Sequence, residues 1–352
     1  MSVHTVSDEA LFFEGFSDEA IWSGFSSQQL DEICSRTGAK TSLGWISWTS
    51  ELYGGGEGFR TWLGWPAWLP LPVASDHGID TTGIIGPDDL KSIGRLPYLS
   101  AHPETVRVLR ERGINAYLAP SPWLYLIQRW GARVSDAARG RVLFFPHSIP
   151  GHEPTCCYIE DFIEFTKLQR KECHPVVVCL HMHDVKAGVH RELQAAGLAV
   201  VSAGNTSHPE FFRRWIRIMS AFRSGVSPLP GSEAVMFAAM GGNFGKRGPY
   251  RSPRDYLLKR LPEKGFDPAS VESEVEAALR RYDDKFALFP YPPATTSEQM
   301  AYVESLSNPL GGSTPQTVRR AAMLALIPAL LRILAVKATR AGRAIRSTPP
   351  AG

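Results

Sequence analysis

Residues 175–180 read Pro-Val-Val-Val-Cys-Leu, a run with no polar side chain, and they break directly into His181-Met182-His183-Asp184. A strand that faces water on one side alternates apolar and polar residues. This run does not alternate, so it is expected to be buried on both faces, as in a parallel sheet. The flanking sequence repeats the pattern. Arg141–Phe145 (RVLFF) leads to Pro146-His147-Ser148, Ile159–Arg170 has helical spacing, and Ala199–Ser202 leads to Gly204-Asn205. Pro209–Phe222 is again helical, and Gly225–Ser227 precedes a helix at Glu233–Met240. Strands alternating with helices at this spacing predict an α/β unit whose strand-end loops share one edge, the edge where open parallel sheets bind ligands.

Working outward, 352 residues exceed what one core ordinarily accommodates, so a second unit is expected. A helix at Glu104–Arg112, Gly113 and a strand at Asn115–Ala119 echo the later series of Val189–Ala196, Gly197 and Leu198–Ser202, about 84 residues on. Leu69–Ala74 reads as a buried strand delivering Ser75-Asp76-His77-Gly78, and Gly44–Trp48 as another strand. The expected division is an N-terminal α/β domain at 1–137, a Rossmann-like domain at 138–310 and a basic amphipathic helix at 311–352. That helix starts at Thr314, a capping residue, with Pro315 in the first helical position.

Composition narrows the class. Apolar residues at 43% and charged residues at 21% are globular values, which argues against a disordered or fibrous chain. Five cysteines (34, 156, 157, 173 and 179), an odd number with no C-x-x-C pair, favour a reducing compartment. The N-terminus has no basic region followed by an apolar run, so no secretory signal is expected. Met323–Val336 is interrupted by Pro328 and Arg332 and is too short to span a bilayer, so a cytoplasmic or peripheral protein is expected. Residues 1–35 contain acids and no Lys or Arg, whereas the chain from Gln316 onward contains bases and no acid. This asymmetry predicts either pairing of the two ends or an anionic membrane surface as partner. Basic residues without interleaved aromatics argue against nucleic acid.

The candidate chemistry lies at the strand ends. Ser227-Pro-Leu-Pro-Gly231-Ser232-Glu233 opens a helix, and a helix N-terminus offers unpaired N–H groups and the positive end of a dipole. Gly231 lets a phosphate approach the backbone, Ser232 adds a hydroxyl, and Glu233 can accept from ribose hydroxyls. The alternative is that Ser232 only caps the helix. His147-Ser148 suits a diphosphate, His183-Asp184 ends the next strand, and Gly204-Asn205 suits a nucleobase; each is also an ordinary loop pair. His77 has a side chain suited to general-base work, with Asp76 to orient it or to replace it. A rival reading places a metal at His181, His183 and Asp184, since residues two apart on a strand point the same way. The barrel that usually carries such an H-x-H needs more strands than follow here.

The order of RVLFFPHSIPGHE, PVVVCLHMHDV, GLAVVSAGNTSHPEFFRRW and VSPLPGSEAVMFAAMGG resembles the donor domain of GT-B glycosyltransferases of bacterial surface polysaccharide assembly. It covers about 105 residues. The closing Gly-Lys/Arg-Pro usual in that family is here Gly241-Gly-Asn-Phe. Asp76-His77-Gly78-Ile79 resembles the acceptor-side His-Gly loop of CDP-alcohol phosphotransferases and related GT-B enzymes. The resemblance implies two Rossmann-like domains facing across a cleft, with a C-terminal crossing helix. It also implies a metal-independent glycosyltransferase, with a nucleotide-sugar as co-substrate rather than a cofactor and a glycan or lipid-linked acceptor. Expected donor contacts are His147, Ser148, His183, Asp184, Gly204, Asn205, Ser227, Gly231, Ser232 and Glu233, with His77 and Asp76 catalytic. A non-catalytic sugar-binding or scaffold protein of the same fold is the further alternative.

Overall fold

In the computed structural model, described over residues 16–37, 47, 49–76, 79, 94–146, 157–250, 254–263 and 265–346, the chain is an α/β protein with two parallel sheets. The larger sheet has strands β4 (Arg141–Phe144), β5 (Val176–Cys179), β6 (Ala199–Val201), β7 (Ser224–Ser227) and β8 (Asn243–Lys246), in the order β6-β5-β4-β7-β8. Every neighbouring pair is parallel. The apolar run at 175–180 supplies β5, whose four residues are all buried. Helices α6 (Ile159–Glu172), α7 (Met182–Lys186), α8 (Val189–Ala195), α9 (Phe211–Ser220) and α10 (Ser232–Ala239) connect these strands.

The smaller sheet consists of β1 (Ala74–Ser75), β2 (Tyr98–Ser100) and β3 (Ala116–Leu118), also parallel and in that order. Helix α4 (Pro103–Glu111) lies between β2 and β3, and Leu109 and Val106 pack with Ala74, Tyr98 and Leu118. Against the other face pack Phe59 and Leu63 of α3 (Gly55–Leu63) and Val318, Ala322 and Leu326 of the last helix, Pro315–Arg346. Thr314 Oγ1 accepts from the Thr317 amide at 3.2 Å, and Pro315 takes the first helical position, as its fixed φ favours. The last helix thus returns to the N-terminal sheet.

Several expectations change. Of the expected strand 69–74 only Ala74 joins a ladder, together with Ser75, although Leu71 and Val73 are fully buried. Pro70 and Pro72 have no N–H to donate, so this stretch is held by its apolar side chains rather than by a sheet. After α10 a further strand follows, β8, which was not among the expected strands. His181–Asp184 is not a loop either, for α7 begins at Met182. Residues 44–46 and 48 of the expected strand at 44–48 lie outside the described residues.

The first helices, α1 (Asp18–Ser23) and α2 (Ser27–Ser35), pack against the larger sheet. Ile21, Phe25, Leu30 and Cys34 join the core of the larger sheet, and the Phe25 amide donates to the Val200 carbonyl at 2.8 Å. Gly24 permits that approach: its φ is +81°, and a Cβ there would lie 2.6 Å from the Val200 nitrogen. Acids of these helices pair with helices of the larger sheet, Asp18 with Arg217 and Asp31 with Arg191, each at 2.8 Å. Among the described residues the acidic and basic ends therefore do not pair with each other. Between the sheets, α5 (Pro122–Trp130) brings Trp123, Leu124 and Ile127 into the larger core, beside α13 (Ser297–Ser307) and α10. Helices α11 (Arg254–Glu263) and α12 (Pro268–Phe286) form a hairpin with its own small core of Leu261, Val271 and Val275, and the last helix is α14.

Candidate functional site

In the order β6-β5-β4-β7-β8 the chain moves one way from β4 to β6 and then crosses to β7 on the other side of β4. The crevice at that reversal, at the carboxyl ends of β4 and β7, is where doubly wound sheets take ligands. Ser227, Gly231, Ser232 and Glu233 stand there. Ser227 is buried, and its Oγ accepts from the Leu229 amide at 3.2 Å, holding the turn that leads into α10.

The N-terminus of α10 is already partly satisfied from within. The Gly231 amide donates to Glu233 Oε1 at 2.8 Å, and a Cβ on Gly231 would lie 2.7 Å from Glu233 Oε2. Burial pushes the Glu233 carboxyl up to about 7, against hydrogen bonds from its own amide, Gly231 and Ser227 that favour the anion. A carboxyl poised there is shared between neutral and charged forms near neutral pH. A phosphate at this helix end meets less repulsion when Glu233 is protonated. Ser232 does not cap the helix; its Oγ accepts from the Ile79 amide at 2.7 Å. Ile79 belongs to the loop after β1, so this bond joins the ligand edge of the larger sheet to that of the smaller one.

At the smaller sheet's carboxyl edge lies a cavity with room for about one water molecule, partly open, lined by Asp76, His102, Ser100, Ser121, Ile79 and Trp123 among others. Asp76 is buried, and its Oδ1 accepts from the Tyr98 hydroxyl at 2.8 Å. His102 is the N-cap of α4, and its amide donates to Ser100 Oγ at 3.1 Å. Ser121 is the N-cap of α5, and its buried hydroxyl has no hydrogen-bond partner among the described residues. His102 and Ser121 were not foreseen from sequence. A signal was available: each stands shortly after a strand and immediately before a proline that opens a helix, which places both at a strand-end edge.

The remaining candidates fall elsewhere on the larger sheet's edge. His181 is the N-cap of α7; its Nδ1 accepts from the His183 amide at 3.3 Å, and its Nε2 lies 3.3 Å from the Tyr53 hydroxyl. His181 and His183 therefore stand across a strand-to-helix turn and not two apart on a strand, which removes the geometric basis of the metal reading. Among the described residues no three His, Cys, Asp or Glu are grouped to hold a metal ion. Asp184 is wholly buried inside α7. Tyr53, also unforeseen, has φ of 55°, unusual for an aromatic residue, and is fixed by its amide donating to the Thr206 carbonyl at 2.8 Å. Burial raises its hydroxyl to about 12. Asn205 is committed to a turn: its Oδ1 accepts from the amide and hydroxyl of Ser207 at 3.0 and 2.7 Å. His77, His147 and Ser148 lie outside the described residues.

No protein-family model and no curated protein matches the chain. Among solved structures it is similar to UDP-GlcNAc 2-epimerase from Neisseria meningitidis bound to UDP-GlcNAc, at 13% identity with a TM-score of 0.32. The match covers 69% of this chain and 63% of that one, so less than two thirds of that protein's length is spanned.

Proposed function

We propose that the chain is a glycosyltransferase that moves a sugar from a nucleotide-activated donor to a hydroxyl of a cell-surface glycan or lipid-linked acceptor. The supporting observation is the 2.7 Å bond from the Ile79 amide to Ser232 Oγ, because it brings the expected acceptor loop and the expected donor loop to one place. In this reading the donor diphosphate lies at the Ser227–Glu233 edge, and the acceptor hydroxyl enters the cavity at Asp76. The acceptor O–H gives its proton to Asp76 or its neighbour His77, the new bond forms to the anomeric carbon, and the bond from that carbon to the diphosphate breaks. The helix end and serine hydroxyls receive the charge developing on the leaving diphosphate. Thermal unfolding with UDP, GDP, CDP and CMP tests this: one nucleotide should raise the midpoint, since a ligand that binds only the folded state stabilises it. No response to any of them rejects the reading, and binding without sugar transfer assigns a sugar-binding role.

The outer face of α14 supports a peripheral place at an anionic membrane. Among the described residues no helix is long and apolar enough to cross a bilayer. Met323, Leu324, Ile327 and Leu331 are nevertheless 53, 81, 67 and 62% exposed, while Val318, Ala322 and Leu326 fill the protein-facing side. Arg319 and Arg320 are exposed beside this stripe, and no acid follows in sequence. An apolar stripe flanked by bases suits the interface of an anionic bilayer. Flotation with phosphatidylglycerol vesicles should recover the protein, phosphatidylcholine vesicles should not, and a Leu324→Asp, Ile327→Asp variant should stay unbound. Equal recovery of variant and native chain would exclude this surface.

A further inference from the structure

Ile79 meets three parts of the molecule. Its side chain is 5% exposed and packs in the larger sheet's core, it lines the cavity shared by Asp76 and Ser121, and its amide donates to Ser232 Oγ at 2.7 Å. Asp76, three residues earlier, accepts from the Tyr98 hydroxyl of β2 at 2.8 Å. Asp76 is thus held by the smaller sheet and Ile79 by the larger one. One wall of the cavity takes its position from the donor edge, through a side chain of α10.

A serine hydroxyl has one proton to give and lone pairs with which to accept. An amide N–H only donates, so Ser232 Oγ is the acceptor in this bond and its own proton points to another partner. Among the described residues that proton finds no acceptor. The amides of Gly231 and Glu233 already serve the Glu233 carboxyl. Ser232 is half-buried at the helix start, so its O–H is open to a ligand oxygen there. Donating to an anion polarises the O–H and makes the oxygen a better acceptor for the Ile79 amide. It also fixes the hydroxyl in one rotamer, which the Ile79 bond otherwise has to order by itself. Each partner of Ser232 therefore finds the hydroxyl better prepared when the other is in place.

We propose that the Ser232 hydroxyl couples the two edges: a phosphate at α10 tightens the Ile79 bond and fixes that wall of the Asp76 cavity, so nucleotide and acceptor each raise the other's affinity. The identity of the two ligands rests on the transfer reading. Ser232 acts here as a positioning residue for the cavity, through Ile79. The coupling is reciprocal, and a single shared hydroxyl is expected to supply about five-fold, the low end of such effects.

The test is amide hydrogen exchange of the full chain, with and without a saturating amount of whichever of UDP, GDP, CDP and CMP binds. A bound nucleotide slows exchange generally by stabilising the fold, so the Phe25 amide, bonded to the Val200 carbonyl of β6, is the reference. Exchange at Ile79 should slow about five-fold more than at Phe25. In Ser232→Ala the Ile79 amide should exchange faster without ligand, and nucleotide should slow the two amides alike. Ser232→Thr keeps a hydroxyl and should restore the difference, which a purely steric role for Ser232 does not produce. Equal slowing of both amides in the native chain, or an excess at Ile79 that survives in Ser232→Ala, overturns the coupling and leaves nucleotide binding standing. Failure of all four nucleotides to bind overturns the transfer reading and the coupling with it. Should Ser232→Ala fail to fold, the comparison of Ile79 with Phe25 in the native chain decides.

Discussion

The two sheet edges joined by Ile79 and Ser232 both belong to parallel sheets and are filled in opposite ways. At the larger sheet, the helix end beyond β7 is occupied by a side chain of its own helix, Glu233, which takes the Gly231 amide at 2.8 Å. At the smaller sheet, the helix end beyond β3 has the Ser121 hydroxyl without a partner among the described residues, lining a cavity shared with Asp76 and His102. One edge carries its own anion, held near neutrality by burial; the other carries unfilled hydrogen-bonding capacity. The difference teaches that parallel strands fix where a ligand can sit, whereas the one or two residues at the helix start decide what charge is welcome there.

The largest effect that would sharpen this contrast is expected at Asp76. Asp76→Asn keeps the shape and the acceptor for the Tyr98 hydroxyl but cannot take a proton. Under the transferase reading it should lower kcat about 10²- to 10⁴-fold, the range of general-base removal, while nucleotide binding measured by thermal shift stays unchanged. Undiminished turnover would move the chemistry away from the cavity and leave the donor edge standing.

Next comes Glu233. Its carboxyl is raised to about 7 in the folded chain from an ordinary value of 4.5. Below about pH 4.5 both folded and unfolded states are protonated, so it contributes no pH dependence there. Between 4.5 and 7 the unfolded state ionises first, and stability falls as pH rises; above 7 the cost is complete. Glu233→Gln removes that slope and can still accept from Gly231. It should be more stable than the native chain at pH 8 by up to roughly 3 kcal/mol, with the gap closing towards pH 4, as read from urea unfolding. It should also bind nucleotide more tightly at pH 8, because a fixed negative charge has left the helix end. A gap independent of pH would show that the carboxyl is not held neutral by burial.

How much of this was legible beforehand depended on whether local sequence or distant packing set each feature. The larger sheet was readable because Val176–Cys179 and Arg141–Phe144 carry the pattern of doubly buried strands in their own residues, and Ser227, Gly231 and Glu233 follow from the helix they open. The placement of α1 and α2 was not readable. Gly24 fits beside Val200 only after the chain has returned from the far side of the molecule, and nothing local to either marks the meeting. The partner of Ser232 was not readable for the same reason: capping, the alternative to a phosphate contact, is a local expectation, and the bond that Ser232 accepts comes from Ile79, 153 residues earlier. Tyr53 is similar, since its backbone is fixed by Thr206 and Trp123.

The smallest expected effect addresses the open edge directly. Ser121 stands at the N-cap of α5 without making the usual side-chain bond to the helix, so Ser121→Ala forfeits no cap. It removes a buried hydroxyl that has no partner among the described residues, and losing such a group should stabilise the ligand-free protein by about 1 kcal/mol. If that hydroxyl is kept for an acceptor, the same substitution should raise KM for the acceptor several-fold and leave the donor KM alone. Stability and affinity then move in opposite directions, a signature that packing alone does not produce. A Ser121→Ala chain that is less stable and no weaker for its acceptor would mean that the hydroxyl serves the fold, and the contrast between the two edges would reduce to Glu233 alone.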